Sequence, residues 1–372
     1  LSSDNEVINP RTIATEPIDT YVRNTVALVD DRFEFVIANG ADDNNEPYIR
    51  KGKEVKNYHI CLYRALNPIK DLKALWQTIK IIRQEKPDLV HCHSAKGGVI
   101  GRFAAFLTRT KSLYTPHAFS FLSTGSNKKR KIYLLMEEIA KLNSCLLACS
   151  ESEKELGMNM IPYPKGKAFA WPNAIPSINN SEIILPKDVK ENEKFIISVG
   201  RPSYQKNPLL MVETVKLIHE RHPEVMFILV GVGYYSPMLD NMKSLIEKYK
   251  LQNVIKLIPW CSHEETLGYV SRAMFYMTTS LYEGLPIAVL EAMALGKPIV
   301  ASDVIGNKDC VKDKYNGFLL PLEASTFAEY CNELLENEGL LQQMGQQSKL
   351  YFEQHFLIDK RIKDLENIYI NV

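Results

Sequence analysis

In AMFYMTTSLYEGLPIAVLEAMALGKPIVASD, Ala273 to Asp303, an apolar run closes at Ser280, a loop carries Glu283 and Gly284, and a second apolar segment follows Pro286. Proline suits a first helical turn, where its missing N–H costs nothing, and Gly296 suits the C-terminal stop. PIVASD then reads as another short apolar strand. A strand, a helix and a strand in that order predict a parallel βαβ unit, which needs helices covering both faces of its sheet.

The same alternation extends both ways from this stretch. Toward the N-terminus lie FIISVG, a helix over Pro208 to Arg221, MFILVG, a helix around Met238 to Lys250, and VIKLIP; toward the C-terminus lies GFLLP. The first half repeats it with FEFVIA, DLVHCH, SLYTPH, CLLACS and AFAWPN, and with helices such as LKALWQTIKIIRQE between them. Between the halves, Pro172 to Lys194 is rich in proline, asparagine and charge, the composition of a linker. The predicted organisation is an N-terminal domain over 1–175, a C-terminal domain over 176–350, and a helix over 351–372 that packs back across the linker.

A length of 372 residues favours two domains, and a net charge of +1 offers no global field for nucleic acid. Seven scattered cysteines without paired metal-ligand spacing point to a reducing cytoplasm, with Cys145 and Cys149 as small buried hydrophobes. No apolar window reaches the length of a membrane span, so membrane contact is expected to be peripheral at most.

Ligands of open α/β sheets bind beyond the carboxyl ends of strands, which gives weight to charged residues there. The first-turn N–H groups around Leu285 and Ile287 would favour an anion such as a diphosphate. Glu283 and Glu291 stand about 12 Å apart along a continuous helical rise, too far to share a proton and suited to gripping hydroxyls at opposite ends of a nucleotide sugar. An ordinary helix with exposed glutamates reads equally well from that pair alone. SVGRPSYQKNP adds Arg201 just past a strand and Lys206 shortly before a helix, cations able to neutralise phosphate without a metal. Gly231 and Gly233 lack the third glycine of a dinucleotide loop and read as a tight turn. His91, His93 and His117 fall at strand ends of the first half, without zinc-ligand spacing; His117 is preferred as functional because its loop is short and flanked by aromatics. NKKRKIYLLMEEIAKLN leads an amphipathic helix with four basic residues, Lys128 to Lys131, a solvated helix end or a docking site for anionic lipid headgroups.

Taken together these residues resemble the retaining family 4 glycosyltransferases, most closely from Phe195 to Leu320, where the E-x7-E pair follows VGRPSYQKNP. HCHSAKGGVIGRFAA looks like members that build bacterial surface or capsular polysaccharides on lipid-linked acceptors. The resemblance implies the GT-B fold, two facing Rossmann-like domains. It also implies donor-diphosphate contacts from Arg201, Lys206 and the backbone at Gly284, Leu285, Pro286 and Ile287, ribose contacts from Glu291, and sugar contacts from Glu283 and His117. It implies a base loop around Pro259 to Cys261, no cofactor and no metal. The expected reaction is retaining transfer of a sugar from a UDP-linked donor to a polyprenyl-diphosphate-linked or saccharide acceptor, at the inner face of the cytoplasmic membrane. A nucleotide-sugar epimerase and a non-catalytic sugar-nucleotide-binding protein are the alternatives.

Departures from the family pattern are concentrated in loops. NPRTIATEPIDTYV places Glu16-Pro17 where members carry a glycine-rich phosphate loop, Val232 replaces an acidic residue after LVG, PNAIP stands for PNGID, and IGNKD stands for GGxxE. The chain also begins at Leu1, which leaves room for residues upstream of the loop.

Overall fold

A computed structural model describes residues 5–11, 16–41, 46–63, 65, 67–233 and 236–372, with side chains from Asp19 onward. The chain forms two compact units, one of Leu1–Ala174 with Ile358–Val372 and the other of Ile175–Leu357.

Unit 1 carries β1 (Asn5–Arg11), α1 (Glu16–Leu28), β2 (Phe33–Gly40), a small hairpin of β3 (Ile49–Arg50) and β4 (Lys53–Glu54), β5 (Asn57–Ile60), α2 (Pro68–Glu85) and β6 (Leu89–His93). It continues with α3 (Ala95–Thr108), β7 (Lys111–Thr115), α4 (Asn127–Lys141), β8 (Cys145–Ala148), α5 (Glu151–Met160) and β9 (Ala168–Ala170). Its parallel sheet runs β5-β2-β1-β6-β7-β8-β9. Every residue of β6 is buried, as a central strand covered on both faces requires. The order reverses between β1 and β6, and segment 12–15, where the departing phosphate loop was located from sequence, lies outside the described residues. Glu16 and Pro17 open α1 itself rather than preceding it. α2 begins four residues before its apolar periodicity suggests, because Pro68 takes the first turn and Asn67 caps it by accepting from the Lys70 N–H.

Unit 2 carries β10 (Phe195–Val199), α6 (Pro208–Arg221), β11 (Met226–Val232), α7 (Leu239–Lys248), β12 (Ile255–Pro259), α8 (His263–Arg272) and β13 (Tyr276–Thr278). It continues with α9 (Ile287–Ala294), β14 (Ile299–Ser302), α10 (Asn307–Cys310), β15 (Gly317–Leu320), α11 (Ala324–Glu336) and α12 (Glu338–His355). The parallel sheet runs β12-β11-β10-β13-β14-β15, so its order reverses between β10 and β13. α6, α7 and α11 cover one face over a core that includes Met211, Phe227, Met277 and Phe327. The linker composition does not leave residues 175–194 loose: the Ile184 N–H donates to Glu264, Tyr269 donates to Asp188, and Arg272 donates to the Lys190 carbonyl, strapping the segment along α8.

α12 ends at His355, and the chain returns to unit 1 as α13 (Ile358–Asn371), seven residues later than the expected return at 351. α12 outlasts the expectation because its apolar and polar spacing carries on without a break to the turn at Phe356. α13 packs beside α1 on the sheet face opposite α2, burying Ile358, Ile362, Leu365 and Tyr369 against Tyr21, Phe33 and Trp171. The Trp171 indole donates to the Arg361 carbonyl at 2.9 Å.

Candidate functional site

The reversal between β10 and β13 opens a crevice at the carboxyl end of unit 2's sheet, the position where open α/β sheets bind ligands. Two loops meet there. After β10, Gly200 takes φ 143° and its N–H donates to Val230, turning the chain toward Arg201 and Pro202. A short turn then delivers Lys206 ahead of α6. After β13, Ser280 to Gly284 form the second loop. The Leu281 N–H donates to the Gln205 carbonyl, the Gln205 amide to the Tyr282 carbonyl, and Thr279 Oγ1 to the carbonyls of Lys206 and Asn207. Gly200, Arg201, Pro202 and Lys206 line a small recess beside Thr278.

Glu283 is the hub of these loops. Its residue is 5% exposed, its Oε1 accepts from Lys206 Nζ at 2.7 Å and from Ser280 Oγ at 2.7 Å, and its Oε2 accepts from Gln205 Nε2 at 2.9 Å. One cation and two neutral donors thus compensate the burial of this carboxyl group. Gly306 packs under the same loop with φ 84°, and a Cβ there would stand 2.8 Å from Glu283 Cβ. The Glu283 N–H donates to the Ile305 carbonyl, so the IGNKD segment is part of the support.

Glu291 lies on α9 with a different partner: its Oε1 is 2.7 Å from His263 Nε2, the first residue of α8. The two glutamates therefore hold separate contacts, yet both reach Tyr276, whose hydroxyl is held well above the usual phenol range by burial and then by their charges. That hydroxyl bridges β13 to β10 through the Val199 backbone. Pro286 stands at the N-cap of α9, one position earlier than expected, and contributes no N–H; helical geometry leaves the Ile287 and Ala288 N–H groups without a partner inside the helix. Gly296 takes φ 70° at the helix stop and its N–H donates to Met293. Gly231, with φ 99°, sits at an irregularity in the β11–β12 register, and Gly233 lies flat against the half-exposed Trp260 indole of the loop after β12.

In unit 1, three histidines and a cysteine form a chain of contacts. His93 Nδ1 is 2.9 Å from His117 Nε2, and His117 Nδ1 is 3.4 Å from Cys149 Sγ. His91 bridges Thr115 Oγ1 at 2.8 Å and Tyr369 Oη at 3.0 Å. Burial pushes His91 and His117 down to about 3, so both stay neutral near pH 7. His117 and Ala118 both adopt positive φ, 51° and 81°, a strained pair for non-glycine residues. Glu153 secures that bend: buried on α5, it accepts the Ala118 N–H at 2.7 Å and the Cys149 N–H at 2.7 Å. Both ring nitrogens of His117 already have partners within unit 1, so a ligand contact by this ring exchanges one of them.

Gln205, Ser280, His263 and Glu153 are the residues that sequence reasoning missed. Gln205 lies inside the quoted SVGRPSYQKNP, and Ser280 and Glu153 occupy strand-end and helix-start positions that serine and glutamate often fill for capping alone. Among the described residues, no group of three or more His, Cys, Asp or Glu is placed to hold a metal ion, and no helix is long and apolar enough to cross a membrane.

Two family models divide the chain. Glycosyl transferases group 1 matches residues 180–351 and Glycosyltransferase Family 4 matches residues 19–177. The chain is 30% identical to an Escherichia coli protein, UDP-Gal:alpha-D-GlcNAc-diphosphoundecaprenol alpha-1,3-galactosyltransferase, over 84% of this chain and 82% of the relative. It is 26% identical to the Staphylococcus aureus capsular polysaccharide biosynthesis glycosyltransferase CapM, over 86% and 87% of the two chains. Sucrose-phosphate synthase of Thermosynechococcus elongatus shares the fold at TM-score 0.83 and 17% identity, with 99% of both chains covered. Anabaena HepE, solved with UDP and glucose, does so at TM-score 0.81 and 16% identity, covering 98% of this chain and 99% of its own.

Proposed function

This chain belongs to the family 4 glycosyltransferases, with the GT-B fold, and on that footing we propose that it moves a sugar from a UDP-linked donor to a hydroxyl of a polyprenyl-diphosphate-linked or saccharide acceptor. The single observation that carries the assignment is the Glu283–Lys206 pair at the strand-order reversal of unit 2, with the first turn of α9 beside it. The relative named for UDP-Gal and GlcNAc-diphosphoundecaprenol supports the donor base and the lipid-linked acceptor, and CapM supports a role in surface polysaccharide.

Arg201, Lys206 and the N–H groups of the Gly284 to Ile287 segment are assigned to the diphosphate. Positive charge and helix-terminal donors aimed at the bridging and terminal oxygens stabilise the negative charge that grows as the sugar leaves. Pro286 supplies no donor but fixes the backbone that presents its neighbours. Glu291 is assigned to the ribose hydroxyls, with His263 holding its carboxylate, and Glu283 to hydroxyls of the transferred sugar. His117 keeps the sugar-orienting role that the family resemblance gives it. The departing diphosphate accepts the proton of the attacking hydroxyl on the same face of the sugar, which retains the anomeric configuration. No metal enters this scheme, because the side-chain cations and the α9 terminus provide the charge; chelator should leave turnover unchanged. A lipid-linked acceptor places the reaction at a membrane surface, reached from the cytoplasmic side.

Product analysis by NMR tests the reading. An α-linked UDP-sugar with a lipid-linked acceptor is expected to yield an α-glycoside. Inversion at the anomeric carbon, or conversion of donor alone into an epimer, would overturn it.

A further inference from the structure

α4 packs Tyr133 and Leu134 on the core but turns its other large apolar residues outward. Its inner face is held by Glu137, buried at 2% exposure, which accepts from Arg102 of α3 at 2.9 Å and from the Tyr114 hydroxyl at 2.9 Å, with Ala140 below it. Arg102 is itself fully buried and its guanidinium stacks 3.8 Å over the Tyr114 ring. This ion pair fixes the helix rotation and leaves Ile132, Leu135, Met136 and Ile139 exposed, at the i, i+3, i+4, i+7 spacing of one stripe. Lys128 extends the stripe at its N-terminal end, with Lys129 and Lys131 on its flanks, all exposed. Glu138 is the acidic residue on the outer side.

α2 packs an ordinary apolar face of Ala74, Ile79, Ile81 and Ile82 on the core and carries a second apolar stripe outward. Both helices contact α3 and belong to one helical layer, and parallel βαβ connections bring their N-terminal halves to the same end of the sheet. On α2, Ile69 is 82% exposed, Leu72 60% and Trp76 66%, again one stripe, and Lys73, Lys80 and Arg83 share that side. The acid of its first turn, Asp71, is taken up by Lys96 of α3.

We propose that the α2/α4 layer of unit 1 is a peripheral membrane-docking surface whose occupant is an anionic bilayer, with the two apolar stripes entering the headgroup region and the flanking lysines and arginines pairing with lipid phosphates. Charge complementarity selects this occupant. A second copy of the chain would bring like-charged lysine clusters together, whereas an anionic surface neutralises them, and exposed Trp and aliphatic residues beside basic ones are the composition of an interfacial helix. The surface deepens the proposed use of a lipid-linked acceptor, but its test does not depend on that use.

Full-length protein is sedimented with phosphatidylcholine vesicles and with vesicles containing phosphatidylglycerol, and Trp76 emission is followed as the difference between the wild-type and Trp76→Phe spectra. Expected are binding to the anionic vesicles alone, reversal by high salt, and a blue shift of Trp76. Replacing Lys128, Lys129, Arg130 and Lys131 together by Gln should lower partition by about a hundredfold or more. Leu135→Ser with Ile139→Ser, at exposed positions that folding does not need, should lower it independently. UDP binding reports that each variant is folded and separates failure of this surface from failure of the donor-site reading. Absence of vesicle binding, binding equal on neutral lipid, an unchanged Trp76 spectrum on anionic vesicles, or a dimer dissolved by the Leu135/Ile139 variant would overturn the proposal.

Discussion

The Glu283 carboxylate is held between two loops of unit 2 by Lys206, Gln205 and Ser280. The sequence marks it by its place in E-x7-E, but its chemistry comes from residues that only folding assembles: Lys206 and Gln205 some 77 and 78 positions away, and Ser280 at the strand end. With Glu283 as hub, Gln205→Ala removes one donor from a buried carboxylate and should lower turnover while leaving UDP affinity within a few fold, measurable by calorimetry beside a turnover assay. His117 illustrates the opposite case. Its place after a strand is visible in the sequence, whereas its occupied ring nitrogens and its strained backbone are set by His93, Cys149 and Glu153. The buried histidines also make stability depend on pH. Unfolded His91 takes a proton near its ordinary value of 6.5, while folded His91 refuses it until about 3. The unfolded state therefore binds more protons between those values, and unit 1 loses stability as pH falls through that window, by up to about 1.4 kcal/mol per pH unit. Replacing His91 by Asn should flatten the loss of melting temperature between neutral and mildly acidic buffer; an unchanged slope would remove this histidine from the account.

Elements were the most legible level. The strands FIISVG, MFILVG and VIKLIP and the helix Pro208–Arg221 are evident from apolar runs and periodicity, because a parallel sheet covered on both faces writes itself as short continuous apolar segments. What the periodicity hides is which way a helix faces. α4 reads as amphipathic either way, and only the buried Arg102–Glu137 pair shows that its apolar stripe points out. Loops carry a further dependence: Gly306 holds φ 84° directly beneath Glu283. Gly306→Ala should cost about 1–2 kcal/mol from the left-handed backbone alone, and the displaced Glu283 loop should lower turnover more than that loss of stability explains. Chemical denaturation and turnover on the same preparation check both parts; wild-type turnover in a stably folded variant would contradict the packing argument.

For the whole molecule, two domains followed from length and alternation, but the units are not two consecutive blocks. α13 closes unit 1 from the far end of the chain, and the linker-like segment 175–194 is fastened to α8 of unit 2. Low apolar content signals a linker, yet a few backbone and tyrosine hydrogen bonds are enough to secure such a strap. A ligand confined to unit 2 should raise that unit's unfolding midpoint by mass action as its concentration rises above Kd. Lys206 and Glu283, paired at the β10–β13 reversal, are proposed to divide the labour, the cation for the diphosphate and the carboxylate for the sugar. Titration of UDP into wild type, Lys206→Ala and Glu283→Ala in the presence of chelator, paired with turnover, tests it most directly. Metal-free UDP binding that Lys206→Ala weakens by roughly 10- to 100-fold, with Glu283→Ala binding UDP nearly as wild type but transferring little sugar, is the predicted result. Equal and small effects of both substitutions on binding and on turnover would contradict it.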